Sequence, residues 1–290
     1  MYDITMIGHV SKDIIEDPAG VQHIVGGPVV YSSAAAARSD ASVLVITKAA
    51  EPDRDELAIL AENGAAVVVL DSPATTSIHN RYETADHERR TVTLLQSASP
   101  FEPSEVPTEP TRIYHLGGLF VGEIPDELIA KLAARAPVAL DAQGVVRASD
   151  VGRLVFRDWA AKRQYLPQVT FFKTDAAEAE LLTGYTDRDD AASALLEMGA
   201  SEVMITHNTE VLLATHDGER HRAPLTPRNL SGRTGRGDTC FAAYLAWQLH
   251  HDRHEALRYA AALVSIKMEA PGVFRGTQGE VFERMNRDGL

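Results

Sequence analysis

Short runs of apolar and β-branched residues alternate with helical patterns along most of this 290-residue chain. The strand-like runs are residues 4–7, 42–46, 66–70, 113–116, 138–140, 169–172 and 203–205. The helical patterns include residues 53–63, 125–135, 176–182 and 189–198. Apolar strands that alternate with helices form a mainly parallel sheet covered on both faces. The chain therefore predicts a single α/β domain over residues 1–290, a three-layer sandwich around a mainly parallel, doubly wound sheet.

Two stretches interrupt this alternation, residues 9–27 and 75–97. The second has the pattern of a polar hairpin, with arms at residues 77–83 and 90–95 and a turn near residues 86–88. We expect the two stretches to form a small additional β-sheet that projects from the main domain. This sheet is either a lid that closes over a site and excludes water, or a solvated decoration or dimer flap.

The composition limits the classes of function that the chain can have. Its formal net charge is −13, from 28 basic and 41 acidic residues, which disfavours general binding to the nucleic acid backbone. No run approaches the roughly 18 apolar residues of a membrane span, and a single cysteine allows no internal disulfide. We expect a cytoplasmic protein that acts on a small molecule, without nucleic acid or membrane partners.

The segment 234–241, Thr-Gly-Arg-Gly-Asp-Thr-Cys-Phe, leads from a glycine-rich turn into an apolar helical pattern. A helix that begins after such a turn directs free backbone N–H groups and its positive dipole end outward. We therefore predict an anion hole with backbone donors from Gly235, Arg236 and Gly237. A carboxylate beside a bound phosphate needs a chemical task there. We assign Asp238 as the base that takes a proton from a hydroxyl attacking a phosphoryl group.

Two other interpretations of this segment remain open. Gly-x-Gly-Asp also occurs at ordinary loop-to-helix junctions, where the aspartate only caps the helix. Residues 236–238, Arg-Gly-Asp, are also the tripeptide through which some extracellular proteins bind adhesion receptors. Here the triplet runs into an apolar helix, and the first residues of the sequence lack a signal-peptide pattern, so we give receptor binding little weight. P-loop kinases are excluded because the sequence contains no Gly-x-x-x-x-Gly-Lys-Ser/Thr motif.

Over nearly its full length the chain resembles the ribokinase-like (PfkB) family of carbohydrate kinases. Besides Gly-Arg-Gly-Asp, the pair Gly26 and Gly27 before a small-residue helix is similar to the family's di-glycine signature. Asp13 falls where the family has a substrate-binding aspartate, and Tyr31 stands where the signature usually has asparagine. The resemblance implies that these four residues bind the phosphoryl acceptor.

Three further segments resemble the nucleotide and metal sites of that family. Residues 173–184 are similar to its Asn-x-x-Glu segment, in which the glutamate orders magnesium through water, so Glu178 is the implied metal residue. Residues 206–208 fall at its Thr-x-Gly nucleotide loop, and residues 260–262 at the helix that walls the adenine site. The residues that the resemblance assigns to nucleotide binding are Lys173, Asp175, Thr206, Asn208 and Ala262.

Several positions depart from the family's usual residues or narrow the branch. The pair 232–233, Gly-Arg, stands where Asp-Thr is common, and Arg236 replaces a small residue. The Arg236 side chain either reaches the phosphates or points to solvent. Residues 141–147 look like the Asp-x-Gln-Gly-x-x-Arg stretch of members related to inositol kinases. Gln143 and Arg147 then bind substrate hydroxyls or a phosphate, although an ion pair between Arg147 and Asp141 explains the stretch almost as well.

The resemblance implies transfer of the γ-phosphoryl group of ATP, with magnesium, to a hydroxyl of a small sugar or polyol, with an inositol-like substrate favoured. It leaves open a monovalent cation and a homodimer formed through the lid. Two alternatives also stay open. One is a nucleoside kinase. The other is a regulatory protein that binds a nucleotide or sugar and has lost turnover, which the departures at Tyr31 and Gly232 keep in view.

Overall fold

The computed structural model describes residues 1–83 and 90–290, so the turn expected near residues 86–88 lies outside the described residues. In chain order the strands are β1 (Tyr2–Ile7), β2 (Ser11–Asp17), β3 (Gly20–Gly26), β4 (Val43–Ala49), β5 (Ala66–Asp71), β6 (Thr76–Tyr82), β7 (Arg90–Gln96), β8 (Thr111–Leu116), β9 (Val138–Asp141), β10 (Arg147–Asp150), β11 (Arg153–Phe156), β12 (Phe171–Asp175), β13 (Glu202–Thr206), β14 (Glu210–Thr215) and β15 (Arg220–Pro224). The α-helices are α1 (Pro28–Arg38), α2 (Ala58–Glu62), α3 (Asp126–Ala133), α4 (Gln143–Val146), α5 (Lys162–Tyr165), α6 (Ala176–Thr183), α7 (Arg188–Glu197), α8 (Arg236–Trp247), α9 (Arg253–Lys267) and α10 (Gln278–Asp288). Two 3₁₀ helices cover Glu51–Leu57 and Leu166–Gln168.

The main sheet has nine strands in the order β15-β14-β13-β12-β9-β8-β1-β4-β5. The seven strands from β13 to β5 in this order are parallel to one another. This confirms the predicted doubly wound α/β sandwich. The antiparallel strands β14 and β15 at one edge were not predicted. No helix among the described residues is long and apolar enough to cross a membrane.

Each face of the main sheet has its own apolar core. Helices α1, α8 and α9 cover one face, where fully buried alanines such as Ala35, Ala243 and Ala261 let the helices approach closely. Helices α3, α6 and α7 cover the other face, where large buried side chains such as Phe172 of β12 and Leu195 of α7 form the core. Because successive strand side chains point to opposite faces, both cores draw on the same strands. This arrangement fixes the carboxyl ends of the parallel strands as one polar edge.

The additional sheet has six strands in the order β10-β11-β7-β6-β2-β3. Four of them come from the stretches expected to form it. The hairpin of β10 and β11 also joins, through pairing of Arg153 with Thr93, so the sheet extends beyond the predicted residues. β10 begins at Arg147, a residue expected only to bind substrate, so the start of this strand was not predicted.

The buried carboxylate of Glu123 ties the additional sheet to the main sheet. It accepts hydrogen bonds from the backbone N–H groups of His9, at 2.6 Å, and Leu119, at 2.8 Å. His9 follows β1 at the start of the additional sheet, and its ring contacts Thr76 at the start of β6 at 3.1 Å. One carboxylate therefore fixes the two loops that lead from the main sheet to the cavity between the sheets.

We expect the substitution Glu123→Gln to lower the free energy of unfolding by about 1–3 kcal/mol, because one buried N–H would then face an amide that does not accept its hydrogen bond. Urea denaturation followed by circular dichroism measures this. The matched control is Glu127→Gln on the exposed face of α3, with an expected change within about 0.5 kcal/mol. Equal stability of the two variants would contradict the role given to Glu123.

Candidate active site

A cavity of about 600 Å³ lies between the additional sheet and the carboxyl edge of the main sheet. Alternate residues of β2 and β6 line its upper side: Ser11, Asp13, Ile15, Ile78, Asn80 and Tyr82. The main domain contributes residues at or after the ends of β9, β12 and β13, together with the first turn of α8. Ligands of open α/β sheets bind at this edge, beyond the carboxyl ends of the strands. The cavity is therefore the candidate active site.

The first turn of α8 brings Asp238 to the cavity. Gly235 precedes the helix with φ of 74°, and a Cβ there would lie 2.2 Å from the Tyr31 ring, so only glycine fits. The helix is then held in the core by buried residues such as Phe241. Backbone N–H groups of a first helical turn have no partner within the helix. The Arg236 N–H instead donates to Arg233 O at 3.3 Å, so this one of the three expected donors is engaged within the loop.

A buried ion pair lies beside this turn. Lys173 Nζ is 3.1 Å from Asp141 Oδ1 and 3.0 Å from Asp141 Oδ2. The same Nζ would be 2.9 Å from a Cβ at Gly237, so the ammonium group touches the first turn of α8. Asp141 therefore pairs with Lys173, and an ion pair between Asp141 and Arg147 does not by itself explain residues 141–147. The Arg147 guanidinium lies 4.7 Å from the centre of the Phe120 ring, at the cavity wall.

The surroundings of Asp238 favour a basic carboxylate. Burial raises the pKa of Asp238 to about 6, Asp141 acts in the same direction, and Lys173 and Lys267 act in the opposite one. A group with a pKa near neutrality is largely ionised at pH 7 yet still accepts a proton readily. Asp238 therefore has the electrostatic properties of a general base.

Asp175 and Glu178 form a reciprocal capping box at the start of α6. Asp175 accepts from Glu178 N at 2.8 Å, and Glu178 Oε2 accepts from Asp175 N at 2.8 Å. Aspartate in place of the family's asparagine thus keeps the cap. Burial raises the pKa of Glu178 to about 7, and Lys173 opposes this. The described residues hold no cluster of three or more His, Cys, Asp or Glu side chains that suits a metal. The two carboxylates at the cavity suit magnesium that keeps its waters and bound phosphate oxygens.

Tyr31 lines the cavity beside Gly235. Burial, together with the charges of Asp13 and Asp238, raises the pKa of Tyr31, so its hydroxyl stays protonated. Gly27 and Gln143 also line the cavity, and Gln143 Nε2 donates to Gly118 O at 3.3 Å. The neutral tyrosine therefore replaces the family's asparagine with a wall against which Gly235 packs.

Most of the residues singled out from the sequence meet in this cavity, but three do not line it. Gly26 lies behind Asp13, where a Cβ would be 2.8 Å from Asp13 Oδ2. Asn208 accepts from Arg236 Nη1 at 2.9 Å. Ala262 is fully buried in α9. The predicted residues that do line the cavity are Asp13, Gly27, Tyr31, Gln143, Arg147, Lys173, Asp175, Glu178, Thr206, Gly235, Arg236, Gly237 and Asp238.

Several residues of the cavity escaped the sequence reasoning. Asn80 and Tyr82 point into it from β6, and Arg233 lines it beside α8. The period-2 pattern of residues 77–83 could have identified Ile78, Asn80 and Tyr82 as one face of a strand. Arg233 was noted only as part of the pair that replaces the family's usual Asp-Thr, and its place at the cavity depends on how its loop packs.

The chain matches the family described as pfkB family carbohydrate kinase over residues 2–277. It is 36% identical to a pyrophosphate-dependent kinase of the ribokinase family, solved with a pyrophosphate analog and myo-inositol; the match covers 97% of this chain and 99% of that one, with a TM-score of 0.89. It is 34% identical to a pyrophosphate-dependent myo-inositol-1 kinase converted into a myo-inositol-3 kinase by two substitutions to leucine, covering 99% and 100% of the chains with a TM-score of 0.89. Ribokinase from Arabidopsis thaliana, solved with ribose and ATP, is 17% identical over 98% of both chains with a TM-score of 0.75, a likeness of fold alone. The comparison with curated proteins gave no match.

We expect Asp238 to titrate with a pKa of about 6, and the substitution Lys173→Met to raise that pKa because it removes a positive charge that stabilises the Asp238 carboxylate. Carboxyl ¹³C chemical shifts, with Asp238→Asn to assign the signal, measure both values. The control is Lys162→Met, because Lys162 is the first residue of α5, pairs with Asp158 and does not line the cavity. A pKa in the ordinary aspartate range near ~3.9, or no change on Lys173→Met, would contradict the electrostatic account.

Proposed function

Because the chain belongs to the pfkB family of carbohydrate kinases, we propose that it transfers a phosphoryl group from inorganic pyrophosphate to a hydroxyl of myo-inositol or a similar cyclic polyol. The observation that carries this proposal is the full-length likeness, at 36% identity, to a pyrophosphate-dependent kinase solved with myo-inositol. The structures solved with ATP or ADP are 16–17% identical and share the fold alone. Pyrophosphate thus takes the place of the ATP that the sequence suggested.

The donor end of the cavity supports a small polyanion. Lys173, Arg233 and Arg236 line it together with the first turn of α8, and cations with helix N-termini are the usual partners of phosphate. The hydrogen bond from Arg236 to Asn208 joins α8 to the loop after β13. Ala262, expected beside an adenine ring, is buried in the core and away from the cavity. Pyrophosphate needs the charges but no site for a base.

The acceptor end supports a cyclic polyol. Asp13, Asn80 and Gln143 present polar groups, while Ile78 and Leu119 present apolar ones. A cyclohexane polyol carries hydroxyls around its edge and C–H groups on its faces, so it matches a wall of mixed polarity. The nucleoside kinase remains the alternative, and it would need one of these walls to accept a base.

The reaction follows from the order of these groups. Asp238 accepts the proton as the acceptor oxygen attacks the nearer phosphorus, the bridging P–O bond of pyrophosphate breaks, and inorganic phosphate leaves. The backbone donors of α8 and the Lys173 ammonium stabilise the charge on the transferred group. Glu178 and Asp175 would hold magnesium through water, and the metal would neutralise phosphate charge. The additional sheet would exclude water from the transfer.

We expect turnover with magnesium pyrophosphate and myo-inositol, and a loss of about 10²- to 10⁴-fold in kcat in Asp238→Asn. The rate should also fall as the pH drops through about 6, because protonated Asp238 no longer accepts a proton. ³¹P NMR measures the phosphorylated product formed from each acceptor, with pyrophosphate and with ATP as donor. The acceptors are inositols, pentoses, hexoses and nucleosides. Product from ATP alone would overturn the choice of donor. Binding of pyrophosphate or polyol by calorimetry without product from any pair would favour the regulatory protein.

We expect Arg236→Met to raise the KM for pyrophosphate by about 10-fold or more, because a charge-assisted hydrogen bond to phosphate is lost. Asn208→Ala is the matched control, since it removes the partner of Arg236 and keeps the guanidinium, and its KM should change less. Initial rates at saturating myo-inositol give both values. An unchanged KM in Arg236→Met would mean that this side chain serves only to hold the loop after β13.

A further inference from the structure

Lys267, the last residue of α9, extends beneath the loop that precedes the anion hole. It is only 2% exposed. Its Nζ donates to Gly232 O at 2.5 Å and to Thr234 O. These carbonyl groups belong to the residues directly before the first turn of α8, so a buried ammonium group holds the backbone from which that turn begins.

The loop lies directly on the end of α9. Gly232 N donates to Met268 O at 2.8 Å, and Ser231 Oγ donates to Glu269 O at 2.8 Å. A Cβ at Gly232 would be 1.8 Å from Ala270 O, so a residue with a side chain does not fit there without a shift. Gly232 has no side chain, whereas aspartate is common at this position in the family. The ammonium group of Lys267 therefore has no carboxylate from residue 232 as a partner. Lys267 is therefore satisfied by backbone oxygens.

The carbonyl groups and the aromatic ring around the Lys267 ammonium are groups that would also suit a bound monovalent cation. Its Nζ lies 5.3 Å from the centre of the Tyr31 ring, within the range of a cation–π contact. Carbonyl oxygens are the ligands that channels use to replace the hydration shell of K⁺. Burial lowers the pKa of Lys267 to about 8 and Asp238 acts in the opposite direction, so the protonated form predominates at neutral pH.

We propose that the Lys267 ammonium is a tethered monovalent cation that positions the carbonyl groups of Gly232 and Thr234 and thereby the anion hole of α8. The proposal rests on the proposed function, because it assumes that phosphoryl transfer occurs at this turn. Lys267 is a positioning residue, since its hydrogen bonds go to the loop and its charge acts on Asp238 through space. It follows that the native enzyme needs neither K⁺ nor NH₄⁺ for activity.

The test compares the native chain with Lys267→Ala and Lys267→Met in a buffer whose only monovalent cation is a bulky organic one. We expect the native rate to be unchanged by NH₄⁺, K⁺ or Na⁺. In Lys267→Ala, kcat should fall by about 100-fold, as expected for a misplaced catalytic group, and NH₄⁺ and K⁺ should restore most of it. Lys267→Met should lose activity without recovery, because the methionine side chain fills the space that a cation would enter. Tetramethylammonium, which is too large, should restore neither variant.

Thermal unfolding provides a second measurement that does not depend on turnover. NH₄⁺ and K⁺ should raise the Tm of Lys267→Ala in a saturable way, and leave the Tm of the native chain and of Lys267→Met at the values found with tetramethylammonium. If the native chain transfers no phosphoryl group from any donor, the proposed function fails, while this melting comparison still decides whether the loop binds a cation. A native enzyme that requires added K⁺ or NH₄⁺ would overturn the inference, whether or not the variants fold. Equal responses of the Ala and Met variants would also overturn it.

Discussion

The positive charge of Lys173 is the interaction on which the rest of the site depends. Its side chain is buried, and the carboxylates of Asp141, Glu178, Asp238 and Asp175 all raise its pKa against the effect of burial. Uncompensated carboxylates in such a place would cost several kcal/mol each. Lys173 and Asp141 are also direct neighbours in the register of β12 and β9, so the ion pair aligns the strand ends that carry these groups.

The two sheets divide the chemistry of the cavity. The carboxyl edge of the main sheet supplies charged groups, among them Asp175 and Glu178, together with the dipole of α8. The additional sheet supplies mostly uncharged side chains such as Asn80 and Ile78, which are suited to recognising a neutral substrate. Its charged groups at the cavity are Asp13 of β2 and Arg147 of β10. Glu123 binds the backbone at the junction of the sheets. The relative position of donor and acceptor therefore depends on a buried carboxylate that is separate from the chemistry itself.

The strands of the main sheet could be predicted because continuous apolar runs indicate burial on both faces. The place of Asp238 at the cavity could be predicted because its signal is local, a glycine turn followed by an apolar helix. Features that depend on distant packing could not be predicted. The hairpin of β10 and β11 was not predicted, because β10 begins at Arg147, the last residue of a stretch, 141–147, that was interpreted only as ligand-binding. Lys267 contacts Thr234 across 33 residues of chain, and no spacing rule links them. The hydrogen bond from Arg236 to Asn208 likewise depends on the packing of the loop after β13 beside α8.

The charge balance of the chain bears on the choice of donor. With a net charge of −13, the protein as a whole repels polyanions, so attraction has to come from local groups. Those groups are concentrated around the first turn of α8, in Lys173, Arg233 and Arg236, while Lys267 offsets Asp238 from beneath the loop. A donor whose whole charge fits within this cluster gains from every cation at once. Pyrophosphate would meet that condition, whereas a nucleotide would also need a site for its base, and Ala262, expected beside that base, is fully buried in α9.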